Sequence, residues 1–339
     1  MNKNIKIGVI GCGKQAVKHV LALRKFGCEI MVADLVDEIA CRIANEFQVQ
    51  YVSTPQAFFE DASVNAVSIC TPTPSHFSLI IEALKSGKHF FCEKPLASTY
   101  HEARDIQQAL EKTDLVGMVG YLYRFHPAFQ LVRDLISDGT VGKPYFANFR
   151  LGGRGSHRIW KHQKEKGGGA VNEMMVHMLD LVFWYFGHIS KTRTILFDTV
   201  LKEREVEGKT VQADAEDLAI VHLETESGVK IICESDLITP SYMNYLEIQA
   251  SNGSVLTSIL DYFPSLVFCK EPRGTYQTGN NVIHFPKVNL FEKQLLYFLD
   301  CIRDGNEPNH NTIRESVYLL ELIETIKKQG EERKSSALH

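Results

Sequence analysis

Residues 5–16 read IKIGVIGCGKQA, an apolar run that reaches two glycines and then continues into a helical pattern. Gly11, Gly13 and Ala16 have the G-x-G-x-x-A spacing of a strand-to-helix turn. Glycines there let a pyrophosphate approach the backbone, and the helix N-terminus presents amide groups to the anion. The alternative is an ordinary tight turn. The stretch predicts a dinucleotide site formed by Gly11, Cys12, Gly13, Lys14, Gln15 and Ala16.

The next apolar run, EIMVAD, ends in an acid. Asp34 follows Ala16 by 18 residues, where a dinucleotide fold places a carboxylate on the adenosine ribose. This carboxylate accepts hydrogen bonds from the ribose hydroxyls and repels a 2′-phosphate, and Leu35 and Val36 supply no cation for that phosphate. NAD is therefore expected rather than NADP. The alternative for Asp34 is a helix N-cap.

The composition narrows the class of protein. The 339 residues suffice for about two domains, and 44% hydrophobic with 23% charged residues is a globular composition. A net charge of −4 argues against non-specific binding to nucleic acid. No signal peptide or bilayer-spanning stretch is apparent, and the 8 cysteines lack metal-binding spacing. We expect a cytoplasmic protein with no metal, membrane or nucleic-acid partner.

The chain has two parts with different hydrophobic patterns. In the first part, short apolar runs alternate with amphipathic segments, which is typical of a parallel sheet covered by helices on both faces. From residue 144 onward, alternating segments such as PYFANFRLG predict a second sheet that is mostly antiparallel or mixed. Helical patterns over 290–305 and 312–330 each end at a glycine.

The predicted fold class is therefore α/β. A Rossmann dinucleotide-binding domain is predicted over 1–122 and a substrate-binding and oligomerisation α/β domain with a large open sheet over 123–330. The closing helices are able to pack back on the first domain, and 331–339 is predicted to be a flexible tail.

Two loops follow buried runs of the first domain. Thr71, Pro72 and His76 follow the run AVSIC, while Glu93 and Lys94 follow HFFC. Ligands of open α/β sheets bind at the carboxyl ends of the strands, so these residues are predicted to contact the cofactor. The alternative for His76 is a helix-start residue packed against the loop. For the two charges it is a solvated surface turn.

Eight segments occur in an order that resembles the Gfo/Idh/MocA oxidoreductases, named for glucose–fructose oxidoreductase, inositol dehydrogenase and a rhizopine-catabolism protein. The resemblance covers nearly the whole chain. The segments are GVIGCGKQA (8–16), VAD (32–34), CTPTPSH (70–76), ALKSGKHFFCEKPLA (83–97), VGYLYRFHP (119–127), GTVGKP (139–144), GGGAVNEMMVHMLDL (167–181) and FLDCIRDG (298–305).

The resemblance implies a catalytic set of Lys94, His177 and Glu173. Lys94 is the lysine of the EKP motif and would stabilise the reacting oxygen, while His177 would carry the proton. Without the resemblance, a core histidine bonded to Asp180 is the leading interpretation of His177. Glu173 lies one helical turn before His177 and can hold the ring or contact a substrate hydroxyl. The family commonly has Asp where Glu173 stands and Gly where Met175 stands, which leaves the carboxylate's role open.

The stretch 154–166 carries five cations and one anion. It indicates either a loop that attracts an acidic substrate, such as a sugar nucleotide or uronic acid, or a solvated loop. Arg124 is either a cation near the site or half of a structural ion pair. Tyr242 and Asn244 are further candidates for contacting the substrate.

The function predicted is an NAD-dependent oxidoreductase acting on a secondary hydroxyl or keto group of a sugar, polyol or sugar derivative. The alternatives, both found among relatives of the family, are an NAD-using glycosidase and a non-catalytic cofactor-sensing regulator. Regulators of this kind lack the lysine that Lys94 provides. The family's habit also implies a homodimer or homotetramer.

Overall fold

The structure, a computed structural model, describes residues 4–153, 158–206, 208–240, 244–260 and 262–337. Two compact units divide the chain. The N-terminal unit comprises the chain up to Leu122 together with Asn289–Glu321, and the C-terminal unit comprises Tyr123–Val288 together with the chain from Leu322 onward. The first of the two closing helices thus belongs to the N-terminal unit.

The N-terminal unit is built on a six-stranded parallel sheet in the order β3-β2-β1-β4-β5-β6. The predicted Rossmann sheet is confirmed. Its strands are β1 (Lys6–Ile10), β2 (Glu29–Ala33), β3 (Gln50–Tyr51), β4 (Ala66–Ile69), β5 (His89–Cys92) and β6 (Gly117–Val119). Its helices up to residue 110 are α1 (Lys14–Lys25), α2 (Asp37–Phe47), α3 (Gln56–Glu60), α4 (His76–Lys85) and α5 (Tyr100–Leu110).

The register of this sheet aligns the ends of four strands. Ala33, Ile10, Ile69 and Cys92 form one row of neighbours across β2, β1, β4 and β5. All four strands are parallel, so the residues that follow this row lie side by side along one border of the sheet. We call this border the carboxyl edge. It is the location at which open α/β sheets bind ligands.

The C-terminal unit contains an eight-stranded sheet in the order β16-β15-β14-β13-β7-β12-β11-β8. Among the described residues of this sheet, β7 and β12 pair in parallel and the other neighbours pair antiparallel, so the predicted mixed sheet is confirmed. The strands of this sheet are β7 (Pro144–Gly152), β8 (Ile189–Asp198), β11 (Leu218–Thr225), β12 (Lys230–Asp236), β13 (Tyr245–Ala250), β14 (Gly253–Thr257), β15 (Ser265–Cys269) and β16 (Gly279–Ile283). A separate hairpin is formed by β9 (Glu203–Val206) and β10 (Lys209–Gln212).

Two helices of the C-terminal unit pack together, α6 (Pro127–Ser137) and α7 (Val176–Phe186). The Tyr185 hydroxyl on α7 donates to the Phe129 carbonyl on α6 at 3.0 Å. A π-helical turn, Val171–Met175, leads directly into α7. The sequence predicts a regular α-helix here, and the wider turn is a feature frequently found at functional sites.

The closing helices are α8 (Leu290–Asp304) and α9 (Ile313–Ala337). The prediction that α9 ends at Gly330 is wrong, because the helix continues through that glycine. Gly330 lies against Phe197 of β8, and a Cβ added to it would collide with the ring. The glycine permits close packing and does not terminate the helix, and residues 331–337, predicted as a tail, are helical.

Candidate active site

Gly11, Gly13 and Ala16, in the turn after β1, are each small for a different physical reason. Gly11 has φ +86°, and an added Cβ would lie 2.8 Å from Thr71 Cγ2 and 3.0 Å from its amide nitrogen. Around Gly13 an added Cβ would meet nothing within 4 Å, so this side of the turn is open. Ala16 is fully buried on the inner face of α1. Only the first glycine is required by the protein's own packing, and the second leaves room for a ligand.

Asp34 holds this turn from the end of β2. One carboxylate oxygen accepts from the Cys12 amide at 2.7 Å and the other from the Val36 amide at 2.9 Å. The N-cap of α2 is Val36, so the alternative of Asp34 as that helix's N-cap is wrong. Leu35 is 96% exposed beside the carboxylate. Asp34 therefore anchors the glycine turn and presents a carboxylate at the carboxyl edge.

The turn fits a dinucleotide by its own geometry. The first turn of α1 contains no acidic residue that would repel a phosphate. The Gln15 side-chain oxygen is buried and has no hydrogen-bond partner among the described residues. Together with the open space at Gly13, these features leave helix amides and a side-chain acceptor for a ligand.

His76 connects the two loops of the carboxyl edge. It is the first residue of α4, and its ring nitrogens lie 2.8 Å from the Thr71 carbonyl and 2.8 Å from the Pro95 carbonyl. Burial lowers the pKa of this histidine. Because both ring nitrogens face backbone carbonyls, the structure favours the packing interpretation of His76. The neighbouring Thr71 accepts from Ser75 at 2.7 Å, which closes the loop that contains Pro72.

Glu93 points into the interior of the N-terminal unit. Its carboxylate lies 2.9 Å from Nε2 of His19, a fully buried histidine on α1. Lys94, the next residue, is half-buried at the carboxyl edge. No local pattern marks His19 as a site residue, because its partner lies 74 residues away in the chain.

In the C-terminal unit, Glu173 lies in the π-helical turn and His177 in the first turn of α7. Both are nearly buried, at 8% and 7% exposure. The His177 ring stacks at a tilt on Tyr123, with 4.7 Å between ring centroids. A π-helix has more residues per turn than an α-helix. Four residues still make about one turn, so the Glu173 and His177 side chains remain neighbours.

The glycines before this turn are required by packing. A Cβ on Gly168 would collide with the Lys161 carbonyl, and one on Gly169, at φ +112°, would collide with the Glu216 carboxylate. Glu216 accepts from the Val171 amide at 3.1 Å, and burial raises the pKa of this carboxyl while Lys327 opposes that shift. Glu216 thus anchors the start of the helix that carries His177. No local pattern marks Glu216, since it stands 45 residues from Val171.

The cationic stretch is partly neutralised within the C-terminal unit. Lys161 lies 2.6 Å from the Glu173 carboxylate, and Lys164 lies 2.5 Å from Glu331. Arg154 falls outside the described residues. The two partnered lysines weaken the hypothesis that this stretch attracts an acidic substrate.

Three further candidates have separate outcomes. Arg124 forms a buried fork with Asp180, at 3.0, 3.1 and 2.7 Å, so the ion-pair interpretation is confirmed. Tyr242 lies outside the described residues. Asn244 accepts from the Gly152 amide at 2.7 Å and lines a small, mostly apolar pocket with Tyr123.

The described part of the chain contains neither a membrane-spanning helix nor a metal-binding cluster. No helix there is both long and apolar enough to cross a bilayer. No group of three His, Cys, Asp or Glu side chains there is arranged to hold a metal ion.

A glycine turn anchored by an acid at the end of β2, on a parallel sheet of this order, defines a dinucleotide-binding domain of the Rossmann type. The chain belongs to the Gfo/Idh/MocA oxidoreductases. Residues 5–121 match the sequence model of the oxidoreductase family with an NAD-binding Rossmann fold, and residues 129–256 match that of the GFO/IDH/MocA C-terminal domain. The resemblance seen in the motifs is confirmed.

The individual relatives have low sequence identity to this chain. The scyllo-inositol 2-dehydrogenase (NAD(+)) of Bacillus subtilis is 25% identical over 315 residues, 91% of this chain and 89% of the relative. The myo-inositol 2-dehydrogenase of Thermotoga maritima is 25% identical over 312 residues, 90% of each chain. A solved structure of levoglucosan dehydrogenase with NADH has a TM-score of 0.88 at 20% identity, covering 97% of this chain and 98% of the other, and shares the fold.

Proposed function

We propose that this protein is an NAD-dependent dehydrogenase that interconverts a secondary hydroxyl and a keto group on a sugar or polyol. One observation carries the proposal: Lys94 stands at the same carboxyl edge as the glycine turn. Ile10, Ile69 and Cys92 are register neighbours, so Gly11 and Glu93 follow one row of the sheet and Lys94 comes next after Glu93. An ammonium at that edge is suited to a reacting oxygen next to a bound dinucleotide.

The roles are divided among few side chains. NAD, when bound, supplies the hydride acceptor. Lys94 would donate a hydrogen bond to the substrate oxygen and stabilise its alkoxide character. His177 would take the hydroxyl proton, since an imidazole suits general base chemistry near neutral pH. Glu173 would orient the substrate or the ring, with Lys161 compensating its charge.

Preference for NAD over NADP follows from Asp34. Its carboxylate is held by two backbone amides and disfavours a 2′-phosphate placed against it. Leu35 and Val36, both exposed, offer no compensating cation.

The substrate is proposed to be uncharged. Lys161 and Lys164 have carboxylate partners, so neither offers an unneutralised charge to an acid. Three relatives are named for inositols or levoglucosan, which carry no charge, whereas another is a 2,7-anhydro-N-acetylneuraminate hydratase, whose substrate has a carboxylate. A uronic acid or nucleotide sugar remains the contrasting class in the test.

We also propose a homo-oligomer, dimer or tetramer, formed through the outer face of the eight-stranded sheet. Leu256, Leu266 and Val282 are cross-strand neighbours on β14, β15 and β16, and Val282 is 56% exposed. Apolar rows of this kind are typical of interfaces. Light scattering at micromolar protein tests this, with Val282→Lys expected to shift the mass downward. A wild-type monomer would refute it.

The decisive experiment follows nicotinamide absorbance with NAD⁺ and a panel of inositols, aldoses, anhydrosugars, uronic acids and nucleotide sugars. NADP⁺ and Lys94→Ala serve as parallel controls. We expect turnover with NAD⁺ and an uncharged member, reduced about 10²–10³-fold by Lys94→Ala. Release of free sugar without net NADH would indicate the glycosidase alternative. Cofactor binding with no reaction on the whole panel would indicate the regulator.

A further inference from the structure

His19 joins three elements of the N-terminal unit inside its core. The ring is fully buried on α1. Nδ1 lies 2.8 Å from the Ser68 hydroxyl on β4, and Nε2 lies 2.9 Å from the Glu93 carboxylate after β5. The helix that begins at the glycine turn is thereby connected through one imidazole to the residue that precedes Lys94.

The environment favours the charged form of this imidazole. Glu93 is only 7% exposed, and an added Cβ on Gly120 would lie 3.3 Å from its second oxygen. A carboxylate in such a place needs a cation or several donors. Burial by itself lowers the pKa of His19, but Cys70 and Glu93 outweigh it and raise the pKa to about 10.

The other groups around the ring are aromatic. Phe91 packs edge-on at 5.3 Å and Phe291 lies at 5.7 Å between ring centroids. Lys18, which precedes His19 on α1, has its ammonium 4.5 Å from the centroid of the Phe291 ring. Glu93 therefore supplies the carboxylate that His19 faces.

The backbone on both sides of Lys94 is fixed. The Glu93 amide donates to the Ile69 carbonyl at 3.0 Å, and the Glu93 side chain is held by His19. After Lys94, the Pro95 carbonyl lies 2.8 Å from Nδ1 of His76. Two buried histidines thus hold the flanks of Lys94, the lysine proposed to stabilise the reacting oxygen.

We propose that His19 is a positioning residue for Lys94: its imidazolium retains the Glu93 carboxylate in the interior and so fixes the lysine and its local charge. The inference rests on the proposed function of Lys94. Without the imidazolium, the negative charge of Glu93 next to Lys94 is uncompensated. This charge favours the protonated form of Lys94 over the neutral amine, and the turn is then able to move.

The test measures Lys94 directly and needs no enzymatic activity. Purified full-length protein is labelled with trinitrobenzenesulfonate, and the rate at Lys94 is read from its peptide by mass spectrometry. We expect His19→Gln to slow labelling about threefold or more, because of the uncompensated carboxylate. The His19→Gln/Glu93→Gln variant removes both charges and should return the rate to within about twofold of wild type. His101→Gln, at an exposed histidine on α5, is the matched control and should change nothing.

Turnover provides the second readout. With the responding substrate, His19→Gln should lower kcat about tenfold while KM and the NAD⁺ dissociation constant change less than about threefold. The double variant should recover part of the lost kcat. If His19 had a purely structural role, His19→Gln would instead change both kcat and KM or neither of them.

The outcomes separate the two proposals. If Lys94 labelling follows the expected pattern but wild-type protein turns over nothing on the panel, the positioning stands and the dehydrogenase proposal fails. If His19→Gln does not fold, Glu93→Gln takes its place and should accelerate Lys94 labelling. Unchanged labelling in folded His19→Gln overturns the proposal, and so does unchanged labelling in Glu93→Gln where His19→Gln does not fold.

Discussion

Lys161 Nζ lies 2.6 Å from the Glu173 carboxylate, so a lysine of the cationic stretch forms an ion pair with the carboxylate that is predicted to act at the site. Glu173 is 8% exposed, and a carboxylate so enclosed depends on a nearby cation. The extra methylene of glutamate, compared with the family's usual aspartate, lengthens the reach toward this lysine. The departure from the family pattern and the cationic stretch are therefore parts of one arrangement.

Lys161→Met should lower kcat/KM about tenfold or more, since the Glu173 carboxylate loses a compensating charge. The measurement is steady-state kinetics on the responding sugar. Lys164→Met is the matched control, because its partner Glu331 is 43% exposed and such pairs contribute little. Equal effects of the two substitutions would contradict the role of the Lys161–Glu173 pair.

Asp34→Ala should weaken NAD⁺ binding about 10–100-fold, because the turn loses two charge-assisted hydrogen bonds and the ribose loses its acceptor. NADP⁺ binding should weaken less, since a repulsive carboxylate is removed. Titration calorimetry with both cofactors measures the difference. Asp37→Ala, at an exposed acid of α2 whose partner is Tyr51, is the control and should leave both affinities within about threefold.

Gly169→Ala should destabilise the C-terminal unit more than Gly228→Ala does. Both glycines have positive φ, +112° and +88°, so both variants have backbone strain of about 1–2 kcal/mol. Only at Gly169 does the new Cβ meet the Glu216 carboxylate, which adds about 1–3 kcal/mol. Urea unfolding compares the two. Equal losses would mean that the Glu216 anchor does not constrain the loop.

Gly330→Ala should be destabilising although alanine favours helix. The gain in helix propensity is about 1 kcal/mol, while forcing a methyl group against the Phe197 ring costs about 1–3 kcal/mol. Thermal unfolding measures the balance. Phe197→Ala removes the Cγ and Cδ1 atoms that the new methyl group would meet, so Gly330→Ala should cost less in the Phe197→Ala background than in wild type. If the single variant is stabilised, the close approach does not limit the helix.

The His19–Glu93 pair should make stability fall with rising pH. The pKa of His19 is raised to about 10 in the folded protein from about 6.5 in an unfolded chain. The contribution of the pair is therefore complete below about pH 6.5 and is lost as the pH rises toward 10. Urea unfolding of wild type and of His19→Gln/Glu93→Gln from pH 6 to 10 measures the difference, expected to shrink by about 3 kcal/mol. A constant difference would show that His19 does not titrate in this range.

The sequence alone was sufficient for the features that depend on neighbours in the chain. The G-x-G-x-x-A turn, the acid ending the second strand, the buried parallel runs and the alternating strands of the second sheet each follow from local preference and periodicity. Their combination also indicated the family and NAD. The π-helical turn before α7 was not predicted, because a local pattern at 3.6-residue periodicity does not distinguish one wider turn from a regular helix.

Only the tertiary structure decided which buried polar groups meet. His19 and Glu93 are 74 residues apart, and Glu216 and Val171 are 45 apart. Gly330, which ends a helix by every local rule, instead lies on Phe197 and lets the helix continue. Such pairs depend on the packing of whole elements against one another, and the free energy of burying a charge is set by the partner it meets there. No preference of a residue for its chain neighbours contains that information.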